Sequence, residues 1–312
     1  MDKLMQIRVF ARVAERGGFS AAGRDLDLSQ SAVSKAITAL EEGLGSRLVN
    51  RSTRAVTLTE AGQTYYRHCR NILDELETAE AAVGVAQSRV GGSLGISAPI
   101  PFGLMFVSPR TARFMMLHPD LTIRLDLNDR FVDLAKENID VAIRLGQTGD
   151  AGVGVRKLGE SPFLTVASPD YLARRGTPLQ PPELLDHDCL IYGSSPGAVE
   201  WRFAAGCAEP LRLSGRFRSN NLLAVRDAAL AGNGIARLPA WMAGPDIEAG
   251  NLRALLPDHP PPSMDIHAVF PSPRRIPAKA RLFADFLQDE LAALALFPGL
   301  RPSLGSHAAI RG

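Results

Sequence analysis

Residues 19–62 read FSAAGRDLDLSQSAVSKAITALEEGLGSRLVNRSTRAVTLTEAG, and their pattern predicts two helices joined by a tight turn. Ser20 is predicted to cap a short helix over residues 21–26, and Ser29 to cap a longer one, because a serine hydroxyl accepts a hydrogen bond from the unpaired N–H groups at a helix start. The longer helix has apolar residues at helical spacing, namely Val33, Ile37, Leu40 and Leu44. This arrangement is typical of a helix-turn-helix.

The other face of the longer helix is polar and carries the candidate DNA contacts. These are Gln30, Ser31, Ser34, Lys35 and Thr38. Gln30 stands at the helix start, where its amide can pair with an adenine edge in the major groove. Ser34 and Lys35 have the side chains that contact phosphates or bases. The alternative interpretation is a helix face that is merely solvated.

Residues 48–51 and 56–58 alternate apolar and polar side chains, which predicts two short strands around a turn. Such a pair beside a helix-turn-helix is a wing, and its candidate DNA contacts are Arg51, Thr53 and Arg54. The two arginines are expected to enter a minor groove, because narrow A·T-rich stretches attract arginine. A plain basic hairpin is the alternative.

Thr59 is expected to open a long helix over residues 59–90. An apolar stripe runs along it from Tyr65 to Ala86, and some 30 residues span about 45 Å. Because such a helix cannot bury this stripe alone, a dimer partner is the simplest explanation. Cys69 falls on the stripe and is expected to pack rather than to react.

The composition agrees with a folded protein of two or three domains. The 312 residues are 46% hydrophobic and 22% charged, which excludes a disordered or collagen-like chain. The formal net charge is only +2, but residues 1–70 hold eleven Lys and Arg against seven Asp and Glu. A basic head of this kind can release counterions from a phosphate backbone.

Other classes of protein lack support in the sequence. No apolar run approaches the ~20 residues that a membrane span needs, and the N-terminus lacks the pattern of a signal peptide. The three cysteines, Cys69, Cys189 and Cys207, are widely spaced and show no metal-ligand pattern, so we expect reduced thiols, a cytoplasmic protein and no cofactor. Because no catalytic motif such as GxSxG or a Walker loop occurs, the sequence does not indicate an enzyme.

From Gly92 onward, predicted strands and helices alternate, which indicates parallel α/β sheets in two lobes with a ligand cleft between them. The predicted elements of the first lobe are strands 92–97, 122–127 and 140–144, a helix ending at Leu117 and a short helix over 132–137. Those of the second are strands 163–167, 189–192 and 235–238 and a helix over 222–231. A strand over 266–270 and a helix over 277–296 then return the chain to the first lobe.

With these elements in place, residues 19–62 resemble the winged helix-turn-helix signature of LysR-type transcriptional regulators. The resemblance rests on the SAA opening, LSQSAVSKAI, the LE..LG.RL stretch, the NR.TR wing and the LTEAG entry to the linker helix. Gly23 departs from the pattern, in which Ala or a larger residue is commoner, and a glycine in a helix interior costs ~1 kcal/mol relative to alanine.

The resemblance implies an α/β protein with an N-terminal winged helix-turn-helix, a long linker helix and a C-terminal two-lobed α/β effector domain like a type 2 periplasmic binding protein. The expected domains are the DNA-binding domain 1–58, the linker 59–90, the effector domain 91–297 and a flexible tail 298–312. Lobe I would comprise 91–161 and 267–297, and lobe II 162–266.

By the same resemblance, SAPIPFG (97–103) is the segment whose helix start faces the effector. The candidate effector contacts are Ser97, Ala98 and Pro99 at this helix entry, Arg144 as the partner of an anion, and Thr165, Asn220 and Gly234. A helix start has unpaired N–H groups that suit a carboxylate. Alternatively, Arg144 belongs to a structural ion pair and Asn220 caps the following helix.

The resemblance implies a transcription regulator that binds double-stranded DNA at an inverted repeat as a homo-oligomer, a dimer of dimers. A small-molecule effector would shift the populations of two tetramer arrangements. RNA polymerase is a further candidate partner. Two alternatives remain at this point. One is a thiol redox sensor that uses Cys189 and Cys207, and the other is a solute-binding or enzyme domain with an accessory helical head.

Overall fold

The computed structural model of the chain describes residues 1–51, 56–82, 91–130, 132–146, 148, 152–203, 209–273 and 276–294. The chain divides into two compact units. The first contains residues 1–94 together with 118–122 and 277–279, and the second contains the remaining described residues. No helix in the described part of the chain is long and apolar enough to cross a bilayer.

The first unit is built from helices and one strand pair. Its elements are α1 (Lys3–Arg16), α2 (Phe19–Asp25), α3 (Gln30–Leu44), β1 (Val49–Arg51), β2 (Val56–Leu58) and α4 (Glu60–Ala82). β1 and β2 are antiparallel, with Val49 opposite Leu58. Two helices joined by a turn and followed by a two-stranded wing confirm the predicted winged helix-turn-helix.

The capping predictions have different outcomes at the two helix starts. Ser29 caps α3 as predicted, because its side chain accepts a hydrogen bond from the N–H of Ala32 at 3.1 Å. The prediction for Ser20 is wrong, since α2 begins at Phe19, after the extended residue Gly18. Ser20 lies inside α2, and its hydroxyl donates to Oε1 of Gln30 at 2.9 Å. Gly17 ends α1 with a left-handed φ of 64°. Because α1 ends there, α2 can start at Phe19, one residue before Ser20.

The core of the first unit lies between its helices and the wing. Its fully buried side chains include Val9, Phe10, Val13, Val33, Ile37 and Leu40. On α4, Tyr65, Tyr66, Cys69 and Leu73 pack against this same cluster. The first half of the linker stripe is therefore covered within the chain, so the prediction that a partner buries the whole stripe is wrong for this half. Ile72, on the same helix, is 47% exposed.

The rest of the chain contains two five-stranded sheets, a hairpin and several helices. The strands are β3 (Gly92–Ala98), β4 (Leu121–Leu127), β5 (Val141–Leu145), β6 (Gly154–Ser161), β7 (Phe163–Ala167), β8 (Cys189–Tyr192), β9 (Val199–Trp201), β10 (Leu211–Leu213), β11 (Phe217–Ser219), β12 (Ile235–Pro239), β13 (Arg253–Leu255) and β14 (Met264–Phe270). The helices are α5 (Ile100–Phe102), a π-helical turn (Gly103–Val107), α6 (Ser108–Leu117), α7 (Pro169–Arg175), a 3₁₀ helix (Pro181–Asp186), α8 (Leu222–Leu230), α9 (Ala240–Glu248) and α10 (Ala278–Ala292).

Both sheets are mixed, so the prediction of parallel sheets is wrong. The first has the order β4-β3-β5-β14-β6 and the second β11-β8-β12-β7-β13. β3 and β5 are parallel, but β14 is antiparallel to both β5 and β6. In the second sheet β12 is parallel to β8 and antiparallel to β7. An alternation of strands and helices predicts that a helix connects neighbouring parallel strands. It does not predict whether a strand that returns from the other lobe, such as β14, runs parallel or antiparallel to its neighbours.

The chain changes sheets at two points. β6 and β7 are separated only by Pro162, and they belong to different sheets. The chain returns to the first sheet with β14, which begins at Met264, ahead of the lobe boundary expected at 267.

The short helix predicted over residues 132–137 is also wrong, because residues 134–138 form turns and residues 132 and 133 have no regular structure. The side chain of Asp133 accepts hydrogen bonds from the N–H groups of Ala135 and Lys136, both at 3.1 Å. Such local side-chain bonds give the backbone an alternative to a continuing helix. Residues 199–201 and 211–213 form the antiparallel hairpin β9–β10, and residues 217–219 form β11, which pairs with β8.

Candidate functional site

The polar face of α3 is open to solvent. Gln30, Ser31 and Lys35 are exposed, and Ser34 and Thr38 are half-buried, whereas Val33, Ala36, Ile37 and Leu40 on the other face are buried. The helix thus presents its five candidate DNA contacts on one side and fixes itself to the core with the other. An α-helix held in this way can enter a major groove with its polar side first.

A close crossing of α2 and the turn before α3 holds α3 in place. A Cβ atom at Gly23 would lie 2.5 Å from the carbonyl oxygen of Leu28, and the N–H of Leu28 donates to the carbonyl oxygen of Gly23 at 2.8 Å. The residue that departs from the family pattern is therefore required by its surroundings. Helix propensity alone does not indicate this contact.

The wing is described only in part. Arg51 is the last residue of β1 and lies opposite Val56 in the ladder. Thr53 and Arg54 lie outside the described residues, so their contact with a minor groove stays a prediction. Thr59 at the end of the wing caps α4, because its hydroxyl accepts from the N–H of Gly62 at 2.9 Å and donates to the carbonyl oxygen of Arg47 at 2.7 Å.

The second unit contains a cavity of about 100 Å³. Its walls come from both five-stranded sheets and from the helices that follow their strands. The lining residues are Pro99, Pro101, Phe102, Asn128, Asp129, Arg130, Arg144, Leu145, Tyr192, Leu222, Trp241 and Met264. Most of these side chains are apolar, and a few polar groups converge on them, which is the usual composition of a small-molecule site.

An aromatic cluster stabilises one wall of the cavity. The rings of Phe102 and Trp241 meet edge to face with centroids 5.8 Å apart, and Phe106 packs against Trp241 at 5.3 Å. The indole N–H of Trp241 donates to the hydroxyl of Ser161 at 3.0 Å. Since the ring is fixed by both contacts, this wall is preformed.

The structure distributes the predicted effector contacts over three environments. Pro99 and Arg144 line the cavity. Ser97 and Ala98 are the last two residues of β3, directly before Pro99, and both are fully buried. The hydroxyl of Ser97 has no hydrogen-bond partner among the described residues. The side chain of Arg144 is buried, and desolvation lowers the pKa of its guanidinium.

The other three candidates do not line this cavity. Thr165 lies in the middle of β7, between Arg237 and Leu255 in the ladder. Asn220 is exposed, and the cap of α8 is the next residue, Asn221. Gly234 is required by a close approach, because a Cβ atom there would lie 2.2 Å from the carbonyl oxygen of Asp188.

Two residues at this site, Asp129 and Asn221, were not predicted from the sequence. Asp129 follows β4 and accepts a hydrogen bond from the N–H of Ile100 at 2.9 Å. The expected unpaired N–H group at this helix start is therefore already bound by a carboxylate of the protein. The position of Asp129 just beyond the carboxyl end of a strand was the available signal, because ligands of such sheets bind at that edge.

Thiol chemistry at Cys189 has no support in its surroundings. The residue is buried, and burial raises the pKa of its thiol to about 12. Its Sγ donates to the carbonyl oxygen of Leu184 at 3.6 Å. A thiol that stays protonated at neutral pH is a poor nucleophile. Cys207 lies outside the described residues, and within those residues no cluster of His, Cys, Asp and Glu could hold a metal ion.

Comparison with known proteins identifies both parts of the chain. Residues 4–63 match the family described as bacterial regulatory helix-turn-helix protein, lysR family, and residues 87–292 match the LysR substrate binding domain. An uncharacterized HTH-type transcriptional regulator from Haemophilus influenzae is 36% identical over 280 residues, which cover 89% of this chain and 97% of that protein.

Solved structures agree. The structure of CrgA, a LysR-type regulator from Neisseria meningitidis, is 33% identical and covers 92% of this chain and 98% of its own, with a TM-score of 0.59. The virulence activator AphB from Vibrio cholerae is 31% identical with the same coverage and a TM-score of 0.55. The chain therefore belongs to the LysR family of transcriptional regulators, with an N-terminal helix-turn-helix that binds DNA and a C-terminal effector-binding domain.

Proposed function

We propose that the exposed polar face of α3 reads the bases of an inverted-repeat DNA site. Gln30, Ser31 and Lys35 would contact base edges and phosphates, with Ser34 and Thr38 beside them. The observation that carries this proposal is the exposure of Gln30, Ser31 and Lys35 on one face of α3, while Val33, Ile37 and Leu40 on the other face are fully buried. Two such helices in a dimer would occupy successive major grooves.

The salt dependence of DNA binding tests this assignment. Lys35→Ala is expected to lower the slope of log K against log salt by about one, because one phosphate contact and its counterions are lost. Lys136→Ala is the matched control, since Lys136 is an exposed lysine of the second unit that pairs with Asp133. An unchanged slope in Lys35→Ala would remove Lys35 from the interface. Gln30→Ala should relax base preference at a single position of the site.

We further propose that a small-molecule effector binds the cavity in the second unit and that Arg144 receives its anionic group. The support is the position of a buried guanidinium in a cavity with mainly apolar walls. A volume of about 100 Å³ has room for a small organic ligand. A ligand that raises the melting temperature should lose this effect in Arg144→Ala while DNA binding is kept. A full thermal shift in that variant would contradict the role of Arg144.

LysR regulators form oligomers, and we propose a dimer of dimers for this chain. The supporting observation is the exposed apolar residue Ile72 on α4. The effector would act by binding one tetramer arrangement better than the other, because a ligand with equal affinity for both shifts nothing. We place this regulator in the cytoplasm with the DNA it binds, and contact with RNA polymerase would be the route to transcription. The similar proteins are named transcriptional regulators, and none of these proposals needs a catalytic step.

A further inference from the structure

One carboxylate joins the two sheets at the edge of the cavity. Oδ1 of Asp129 accepts from the backbone N–H of Ile100 at 2.9 Å, at the start of the helical run that follows β3. Oδ2 of Asp129 accepts from Nδ2 of Asn221 at 3.0 Å, at the start of α8 beside the second sheet. Asp129 itself lines the cavity.

The amide of Asn221 is fixed in this orientation by a second contact. Its Oδ1 accepts from the N–H of Leu223 at 2.9 Å and so caps α8. The Nδ2 group of the same amide donates to Asp129. Both bonds hold the Asp129 carboxylate in place, and each of its oxygens keeps a second lone pair for another donor.

A ligand that reaches this end of the cavity therefore meets an acceptor with a negative charge. The backbone N–H that would bind a ligand carboxylate is occupied, and a second carboxylate beside Asp129 would be repelled in a partly desolvated site. A hydroxyl, amide or ammonium group could instead donate to the remaining lone pairs.

We propose that Asp129 is a specificity-determining residue of the cavity, which selects effectors that present a hydrogen-bond donor at the start of the helical run and rejects those that present a carboxylate there. The proposal rests on the proposed function of the cavity as the effector site. An anionic group elsewhere on the same ligand can still bind Arg144.

Benzoate and benzylamine test the proposal, because they share one ring and differ in the charge of their polar group. The measurement is the ratio of the benzoate Kd to the benzylamine Kd for the full-length chain, by calorimetry. Asp129→Asn removes the charge and keeps the shape, and it is expected to lower this ratio at least about tenfold. Arg130 and Arg144, which also line the cavity, are the same in variant and wild type. Asp258→Asn makes the same charge change at an exposed turn outside the cavity and should leave the ratio as it is.

The outcomes are distinct. If both probes bind and Asp129→Asn leaves their ratio unchanged, Asp129 does not set specificity, although the cavity remains a ligand site. If neither probe binds wild type or variant, the cavity assignment fails and the proposal fails with it. Asp129→Ser keeps a hydroxyl for the N–H of Ile100, and it replaces the asparagine variant if the latter does not fold.

Discussion

In the DNA-binding head (residues 1–58), two helical glycines differ in the space available for a side chain. A Cβ atom at Gly23 in α2 would lie 2.5 Å from the carbonyl oxygen of Leu28, whereas one at Gly43 in α3 meets only the Nζ of Lys3 at 3.8 Å. Gly23→Ala is therefore expected to destabilise the head by about 1–2 kcal/mol, because backbone must shift. Gly43→Ala should stabilise it by up to about 1 kcal/mol through helix propensity.

Hydrogen exchange of the α2 and α3 amides measures both effects. Trp201 and Trp241, the two tryptophans of the chain, lie in the second unit, so their fluorescence does not report on the head. Faster exchange in Gly23→Ala and slower exchange in Gly43→Ala are the expected pair of results. Equal effects of the two substitutions would show that the contact with Leu28 does not affect the stability of the two helices.

The second residue-scale prediction concerns His187. Its Nδ1 lies 3.1 Å from the hydroxyl of Tyr171, and that hydroxyl accepts from the N–H of Asp188 at 2.9 Å. Burial lowers the pKa of His187 from 6.5, and the charge of Arg175 lowers it further. As the pH falls, the unfolded chain binds this proton first, so the free energy of unfolding should decrease below pH 6.5 and level off once the pH passes the folded pKa.

Tryptophan fluorescence during urea unfolding, between about pH 7.5 and 5, measures this loss in the second unit. His187→Gln should flatten the dependence. His68→Gln is the control, because His68 is exposed on α4 in the first unit. The idea fails if His187→Gln retains the full pH dependence of the wild type.

At the scale of single elements, the start of α3 is both a structural and a functional feature. Ser29 caps the helix through the N–H of Ala32, and the candidate base contact Gln30 is the next residue. Ser29→Ala is expected to cost about 1 kcal/mol and to speed hydrogen exchange in the first turn of α3. Ser29→Asp keeps an acceptor at the cap and should restore slow exchange. If both variants behave like wild type, the cap does not stabilise the helix.

The elements that the sequence missed have local causes. Residues 132–137 have the composition of a helix, but the side chain of Asp133 bonds to the backbone two and three residues on. Ser20 has the chemistry of a cap, but Gly17 and Gly18 start the helix before it. In each case the residue types favour one local structure, whereas the hydrogen bonds or backbone angles of the neighbouring residues favour another, and the second determines the observed conformation.

At the scale of the whole molecule, the prediction concerns assembly. Tyr65, Tyr66, Cys69 and Leu73 of α4 pack on the head of their own chain, whereas Ile72 is 47% exposed. If α4 pairs with a second copy through this residue, Ile72→Asp should shift the sedimentation equilibrium toward smaller species and weaken binding to an inverted repeat more than to a half-site. Asn71→Asp places the same charge one residue away and is the control. An unchanged oligomer in Ile72→Asp would place the interface elsewhere.

Much of this protein follows from its sequence alone. The helical spacing of Val33, Ile37 and Leu40, the cap at Ser29 and the cap at Thr59 depend on neighbours within a few residues, and the winged helix-turn-helix was predicted from them. Helix–strand alternation likewise predicted an α/β effector domain. Local hydrogen bonds and periodic burial depend on residues near one another in the chain, and those are visible in sequence.

Tertiary structure was needed wherever residues far apart in the chain meet. The direction of β14 between β5 and β6, the contact of Gly23 with Leu28 and the walls of the cavity depend on how the elements pack. Asp129 and Asn221 are 92 residues apart, and neither carries a motif, yet their hydrogen bond joins the two sheets at the edge of the cavity. A sequence pattern records which face of an element is buried, whereas the partner across that face is set by the packing of the whole chain.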